Sequence, residues 1–154
     1  MKFVAVEDIA APIDHVWAQV ADVDRFEARM ARRVGRIDRR PPGPAGPGTT
    51  WSGATEVMGK VRDVVVAMDR MTPPQEIALS ARTEGMVVEI LVQLAAQSPR
   101  LTRLTVTTDA KARSLTARVM LQSAKLARKT LARRYKGRVA EFANTVEADF
   151  EPRA

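Results

Sequence analysis

Few residues in this chain have the chemistry of a catalytic or metal-binding group. The sequence contains one histidine, His15, and no cysteine, which excludes a thiol nucleophile, a disulfide and a Cys/His metal site. Its carboxylates lack the spacing of a calcium or magnesium loop. Gly43, Gly46 and Gly48 are separated by prolines and do not lead directly into a helix, unlike the glycines of a phosphate-binding loop. We therefore expect no metal and no cofactor, and we assign no catalytic residue.

Polar residues on apolar elements remain as candidates for binding. Tyr135 lies within an apolar helical stripe, where a buried hydroxyl needs ligand, water or backbone as its hydrogen-bond partner. Arg138 lies at the edge of the same stripe, where it either binds a ligand carboxylate or phenolate through two hydrogen bonds or extends to water. Glu89 alternates onto the opposite face of the predicted sheet, and His15 lies in the opening turn of a predicted helix. We expect both near solvent.

A long C-terminal helix must position Tyr135 and Arg138. The segment from about Ala112 to Phe150 contains no proline and one glycine, and its apolar residues recur at helical spacing. The apolar stripe consists of Met120, Leu121, Ala124, Ala127, Leu131, Tyr135, Val139, Phe142 and Val146. The opposite side is basic, with Arg118, Lys125, Lys129, Arg133 and Lys136. Such a helix needs a broad apolar surface, so we predict that Leu131, Tyr135 and Phe142 pack against a sheet.

That sheet is predicted from alternating apolar residues between the Pro/Gly-rich loop at residues 41–48 and Ala112. Three turns, at Met58-Gly59, at Glu84-Gly85 and at a three-residue Ser98-Pro99-Arg100 loop, fix the register of antiparallel strands. The predicted pairs are Trp51 with Val66, Gly53 with Val64, Ala81 with Val88, Leu79 with Ile90, Ile77 with Val92, Leu94 with Leu104, and Val92 with Val106. One sheet face is therefore richly apolar.

The N-terminal part predicts a strand followed by two short helices. The strand runs from Phe3 to Ala10, and a helix begins after Pro12, with apolar residues at Ile13, Val16, Trp17 and Val20. A second helix is predicted from Asp22 to Ala31. The fold class is therefore α+β, and 154 residues fit one domain spanning 1–154 with a sizeable core.

Composition and charge limit the setting and the partners. No apolar segment is long enough to span a membrane, and the absence of cysteine favours a reducing compartment, so we expect a cytoplasmic protein. The formal net charge is +7, and Lys111–Arg138 contains ten basic residues and no acidic one. Such a surface either keeps the protein soluble, which we favour, or attracts nucleic acid, anionic lipid or acidic partners.

Several short motifs make the sequence resemble the START/SRPBCC superfamily, which includes polyketide cyclases and birch-pollen-allergen-like proteins. They are Ile9-Ala10-Ala11-Pro12 leading to Val16-Trp17 and Ala21-Asp22, Pro47-Gly48-Thr49-Thr50-Trp51, Thr72-Pro73-Pro74 and Arg103-Leu104-Thr105. The resemblance covers nearly the whole chain. It implies a helix-grip fold, in which an antiparallel β-sheet wraps around a long C-terminal helix, with two short helices after the first strand.

The resemblance also implies a cavity between helix and sheet that binds an apolar small molecule. The wall residues are Val64, Val66, Met68, Ile77, Leu79, Met86, Val88, Ile90, Val92, Leu104 and Val106, capped by Leu131 and Tyr135, with Arg138 at the edge. The same residues would serve equally as a solid core. The first functional hypothesis is binding of a polyketide, lipid or quinone-like molecule, and the alternative is a cyclase or aromatase. A nucleic-acid or anionic-lipid binder ranks third, and the oligomeric state stays open.

Overall fold

Residues 1–150 form one seven-stranded antiparallel sheet with two helices after the first strand and two that follow the last strand. The computed structural model describes residues 1–150. The elements are β1 (Lys2–Ile9), α1 (Ile13–Val20), α2 (Val23–Val34), β2 (Asp38–Arg40), β3 (Thr50–Val57), β4 (Lys60–Thr72), β5 (Glu76–Thr83), β6 (Met86–Ser98), β7 (Leu101–Ala112), α3 (Leu115–Leu126) and α4 (Arg128–Phe150). The strand order is β1-β7-β6-β5-β4-β3-β2. None of the helices described is long and apolar enough to cross a membrane.

The predicted registers of the β3–β4 and β5–β6 hairpins are confirmed. All five predicted pairs in these hairpins occur, among them Trp51 with Val66 and Leu79 with Ile90. The turn residue Glu84 has φ 42° and Gly85 has φ 80°, which matches the two-residue turns that suit the right-handed twist of paired strands. A Cβ atom on Gly85 would lie 2.3 Å from the Ser114 Oγ. This turn therefore requires glycine for space as well as for conformation.

The β6–β7 connection is shorter than the predicted three-residue loop, although its register is as predicted. Leu94 pairs with Leu104, and Ser98 pairs with Leu101, so the turn itself contains only Pro99 and Arg100. The pairing shifts between Ala96 and Ser98. A bulge absorbs the extra residue, which is why the strands keep the register that the alternation predicts.

Strand β2 was not predicted. Its three residues lie in an arginine-rich segment, and Arg39 pairs with Trp51 at the edge of the sheet. A strand this short has no measurable alternation, so the sequence pattern could not reveal it.

The prediction of one continuous C-terminal helix from Ala112 is wrong. Strand β7 continues to Ala112, Ser114 caps α3 by accepting a hydrogen bond from the Ala117 amide, and the helix breaks at Ala127, with φ −104° and ψ 18°. The break has a tertiary cause: α3 packs on β7, whereas α4 packs mainly on β1. The two helices therefore cover different parts of the sheet.

Within residues 1–150, apolar side chains form two separate clusters on the sheet face that meets the helices, here called the inner face. The main core joins β1, α1, α4 and the central strands, and its fully buried members include Ile9, Val16, Leu104 and Val146. The small core lies under α3 and contains Met86, Ala117 and Met120. Burying apolar surface in both stabilises the fold.

Candidate functional site

Eight of the predicted wall residues belong to the two cores. Met68, Ile77 and Leu104 are buried in the main core, and Leu79, Val92 and Val106 are half-buried against it. Met86 and Val88 belong to the small core. These side chains are packed against neighbours, as the solid-core interpretation requires for this part of the face.

The remaining apolar residues of the predicted wall lie outside both cores. They are Val64, Val66, Ile90, Leu131 and Tyr135, and we call them the central strip. All five are half-buried, and none is part of either cluster among the described residues. Because packed cores leave few such gaps, partial exposure of apolar side chains on an inner face indicates a space that solvent can enter. The central strip is therefore the candidate site.

The sheet and α4 bring Leu79, Ile90 and Tyr135, which are all residues of the predicted cavity wall, into one neighbourhood. Ile90 pairs with Leu79 on one side and with Thr108 on the other. The hydroxyl of Thr108 lies 3.0 Å from the hydroxyl of Tyr135. Side chains directly opposite each other share a sheet face, so Leu79, Ile90 and Thr108 lie side by side on the inner face, and Thr108 connects them to Tyr135.

The hydroxyl of Tyr135 has its hydrogen-bond partners within the protein. It donates to the carbonyl oxygen of Val106 at 2.9 Å, and because a phenol carries one hydrogen, it must accept the hydrogen bond from Thr108. Burial raises the pKa of Tyr135 above its ordinary value, although the hydrogen bond with Thr108 acts in the opposite direction. The ring also packs on Phe3, with centroids 5.7 Å apart. Tyr135 thus offers a ligand its ring rather than its proton.

Arg138 and His15 do not line the central strip. The side chain of Arg138 is exposed and makes no hydrogen bond or ion pair with any residue in 1–150. The His15 Nε2 lies 3.0 Å from the carbonyl oxygen of Val146, and its ring packs on Phe150. His15 is half-buried, contrary to the expectation of a place near solvent, because it links α1 to α4. Glu89 is exposed, as predicted, and lies near Lys111.

Two polar atoms that the sequence analysis did not single out are buried on the inner face. The Nε1 of Trp51 and the Oγ1 of Thr83 have no hydrogen-bond partner within the described chain. Trp51 pairs with Val66 of the central strip, and Thr83 pairs with Met86 of the small core. An unpaired buried donor costs about 1–3 kcal/mol. The predicted register already placed Trp51 inward, but only the structure reveals that its nitrogen is unpaired.

Arg39 holds Trp51 in place. Its guanidinium lies 6.0 Å from the centre of the Trp51 ring and pairs with Asp24 and Glu27 of α2. Hydrogen bonds to the two carboxylates, of which the one to Asp24 has the largest effect, raise the pKa of Arg39 above its ordinary value. The arginine therefore joins α2 and β2 to the edge of the candidate site.

The outer face of the sheet carries two open depressions of about 470 and 340 Å³. The first is bordered by apolar residues, which include Leu79 and Ile90, and by charged residues such as Asp69, Arg82, Glu89 and Asp109. The second is bordered mainly by polar residues and Arg103. Charged rims of this kind hold water better than an apolar molecule. The central strip, which is apolar and backed by two packed cores, fits the usual composition of a small-molecule site better.

Comparison with known proteins identifies the fold. No protein-family model and no curated protein sequence matches the chain. Solved structures match it over nearly its whole length. A Thermus thermophilus protein is 14% identical with a TM-score of 0.68, covering 98% of this chain and 100% of that one. The Zhui aromatase/cyclase from a Streptomyces species is 19% identical with a TM-score of 0.65, covering 96% of this chain and 93% of that one.

A plant enzyme has the same architecture. Truncated norcoclaurine synthase from Thalictrum flavum is 11% identical with a TM-score of 0.68, and the match covers 99% of this chain and 95% of that one. Identities this low establish a shared fold and leave activity open. The element order, the sheet topology and these matches agree, and the chain has a helix-grip fold.

Proposed function

We propose that this protein binds an apolar small molecule between the inner face of the sheet and α4. The observation that carries the proposal is the central strip: five half-buried apolar residues lie outside both packed cores, on the face that the helices cover. Leaving that apolar surface wet is unfavourable, and a ligand that displaces the water recovers the hydrophobic contribution, roughly 25 cal/mol per Å² buried.

The unpaired polar atoms indicate what else the ligand carries. The indole Nε1 of Trp51 can only donate a hydrogen bond, whereas the hydroxyl of Thr83 can donate or accept. A mostly apolar molecule with a carbonyl or phenol oxygen at one end would satisfy Trp51 on displacing the side chains that bury its Nε1, while its body contacts Val66 and Ile90. Polyketides, quinones and lipids all have this composition, so the proposal names the class rather than one compound.

A cyclase or aromatase is the second candidate. It is supported by the structural likeness to an aromatase/cyclase. Ring closure requires a positioned proton donor or acceptor, and the hydroxyl hydrogen of Tyr135 already bonds to Val106. Ligand binding without a reaction needs no such proton donor or acceptor, so we rank it first.

We place this function in the cytoplasm, because the absence of cysteine fits a reducing compartment. Residues 1–154 would act there as one domain.

Native mass spectrometry of the protein purified from its own cells tests the proposal. We expect a second species, heavier by the mass of one small molecule, that is lost on mild collisional activation. Titration with the neutral fluorophore N-phenylnaphthylamine provides the matched in vitro measurement, and it should saturate at one site per chain. An empty protein that also fails to bind this fluorophore would contradict the proposal.

A further inference from the structure

Helix α3 has a second apolar face that no part of the described chain covers. Leu115, Val119 and Leu126 are 77%, 56% and 93% exposed. At 100° per residue these three positions fall within about 40° of one another around the helix axis. The buried residues Ala117 and Met120 point away from them into the small core. Helix α3 is thus apolar on two opposite sides, one packed and one in water.

The charge around this outer face of α3 is strongly positive. Arg118 and Lys125 are exposed on the flank of the Leu115–Val119–Leu126 stripe, and Arg128 and Lys129 follow it at the start of α4. The whole segment from Lys111 to Arg138 contains ten basic residues and no acidic one. Exposed leucines within a continuous positive field are the combination that binds amphipathic helices to membrane surfaces.

We propose that the outer face of α3 docks on an anionic phospholipid bilayer. Leu115, Val119 and Leu126 enter the boundary between headgroups and acyl chains, and Arg118 and Lys125 contact the lipid phosphates. The helix lies in the plane of the surface and does not span it. This proposal is independent of the proposed ligand site, because it depends only on the exterior of α3 and its charge.

The apolar stripe favours a bilayer over nucleic acid. Affinity for nucleic acid comes from phosphate contacts and, for single strands, from stacking of bases on aromatic rings. Exposed aliphatic side chains provide neither contribution. The one aromatic residue between Lys111 and Arg138 is Tyr135, whose ring packs on Phe3. An anionic bilayer, by contrast, buries the leucine side chains and attracts the positive charge.

Sedimentation with vesicles measures the docking directly. Phosphatidylcholine vesicles with about one third phosphatidylglycerol are compared with pure phosphatidylcholine. We expect binding to the anionic vesicles alone. The double variant Leu115→Ser/Leu126→Ser should bind at least about tenfold more weakly, and Lys125→Ala about fivefold more weakly. Val6→Ser on the outer face of β1 and Arg100→Ala in the β6–β7 turn, both at exposed positions, should bind as the parent does.

A single introduced cysteine shows which part of the surface is inserted, because the natural chain has none. An environment-sensitive fluorophore on Leu126→Cys should shift to the blue and brighten on anionic vesicles. The same fluorophore on Val6→Cys, on the outer face of the sheet, should not respond. Circular dichroism and thermal unfolding confirm that each variant is folded before it is compared.

Three results would overturn the proposal. One is equal binding of the parent and the double leucine variant, since adsorption would then be purely electrostatic. Another is tight binding of DNA or RNA that the leucine substitutions do not weaken. The third is a dimer in sedimentation equilibrium that Leu126→Ser dissociates, because α3 would then contact a second copy of the chain.

Discussion

The hydroxyl of Tyr135 donates to the carbonyl oxygen of Val106 at 2.9 Å and accepts from the hydroxyl of Thr108 at 3.0 Å. This pair of bonds fixes α4 on strand β7 and holds the Tyr135 ring within the central strip. It also explains why a tyrosine can lie within an otherwise apolar stripe, because a buried hydroxyl needs partners.

Tyr135 is the only tyrosine of the chain, so absorbance at the phenolate band reports its ionisation alone. Since burial raises its pKa in the folded protein, we expect a titration midpoint above the value of about 10 that an unfolded chain gives. Between the two pKa values the folded state therefore retains the Tyr135 proton that the unfolded state has lost. The contribution of Tyr135 to the stability of the fold is complete below about pH 10 and declines as the pH rises through the folded pKa. A folded midpoint at or below that of the urea-unfolded chain would contradict this assignment.

A matched pair of leucines distinguishes core from central strip. Leu104→Ala removes a side chain that is 1% exposed in the main core, and we expect a loss of about 2–5 kcal/mol of unfolding free energy. Leu131→Ala acts on a half-buried side chain outside both cores, so the loss should be about 1 kcal/mol or less. Urea denaturation measures both. Equal, large losses would place Leu131 in a solid core.

A matched pair of glycines tests the docking of α3 on the β5–β6 turn. Gly59→Ala and Gly85→Ala both place a side chain at a φ close to 80°, which costs roughly 1–2 kcal/mol. Only Gly85 lies against Ser114, with Oγ 2.3 Å from the added Cβ. We expect Gly85→Ala to destabilise by a further ~1–3 kcal/mol through overpacking. If thermal unfolding gives the same loss for both, α3 does not pack on this turn.

A substitution at Thr83 tests whether the buried hydroxyl of this residue lacks a hydrogen-bond partner. Thr83→Val keeps the side-chain shape but removes an oxygen that has no partner within residues 1–150. Without ligand we expect the variant to be more stable than the parent, by about 1 kcal/mol, because a buried polar group without a partner is unfavourable. Guanidinium unfolding provides the measurement. A less stable variant would mean that this hydroxyl makes a hydrogen bond, for example to a buried water.

The sheet could be predicted from the sequence because its signals are local. The alternation of apolar residues and the two-residue turn at Glu84-Gly85 together predict that Leu79 pairs with Ile90. The structure confirms this pair. The break at Ala127 could not be predicted, since no proline or glycine marks it and its cause is the packing of α3 and α4 on different strands.

Less of the candidate site than of the sheet could be predicted from the sequence. The helical period placed Leu131 and Tyr135 on the correct side of α4, but it also placed Arg138 at the edge of that stripe, where the side chain proves to be exposed. Whether Val64 lies in a packed core or beside a space depends on how closely α4 approaches the sheet. That distance is a property of the assembled fold and has no signature in the spacing of residues.

The proposed ligand site requires a space beside Ile90 that admits an apolar molecule. Replacing Ile90 with tryptophan should fill that space, so saturable binding of N-phenylnaphthylamine should be lost while the unfolding midpoint stays close to that of the parent. Val65→Trp is the control, because Val65 is exposed on the outer face of β4, and it should bind as the parent does. If Ile90→Trp instead unfolds the protein and the parent binds no fluorophore, the inner face is a closed core and the account is wrong.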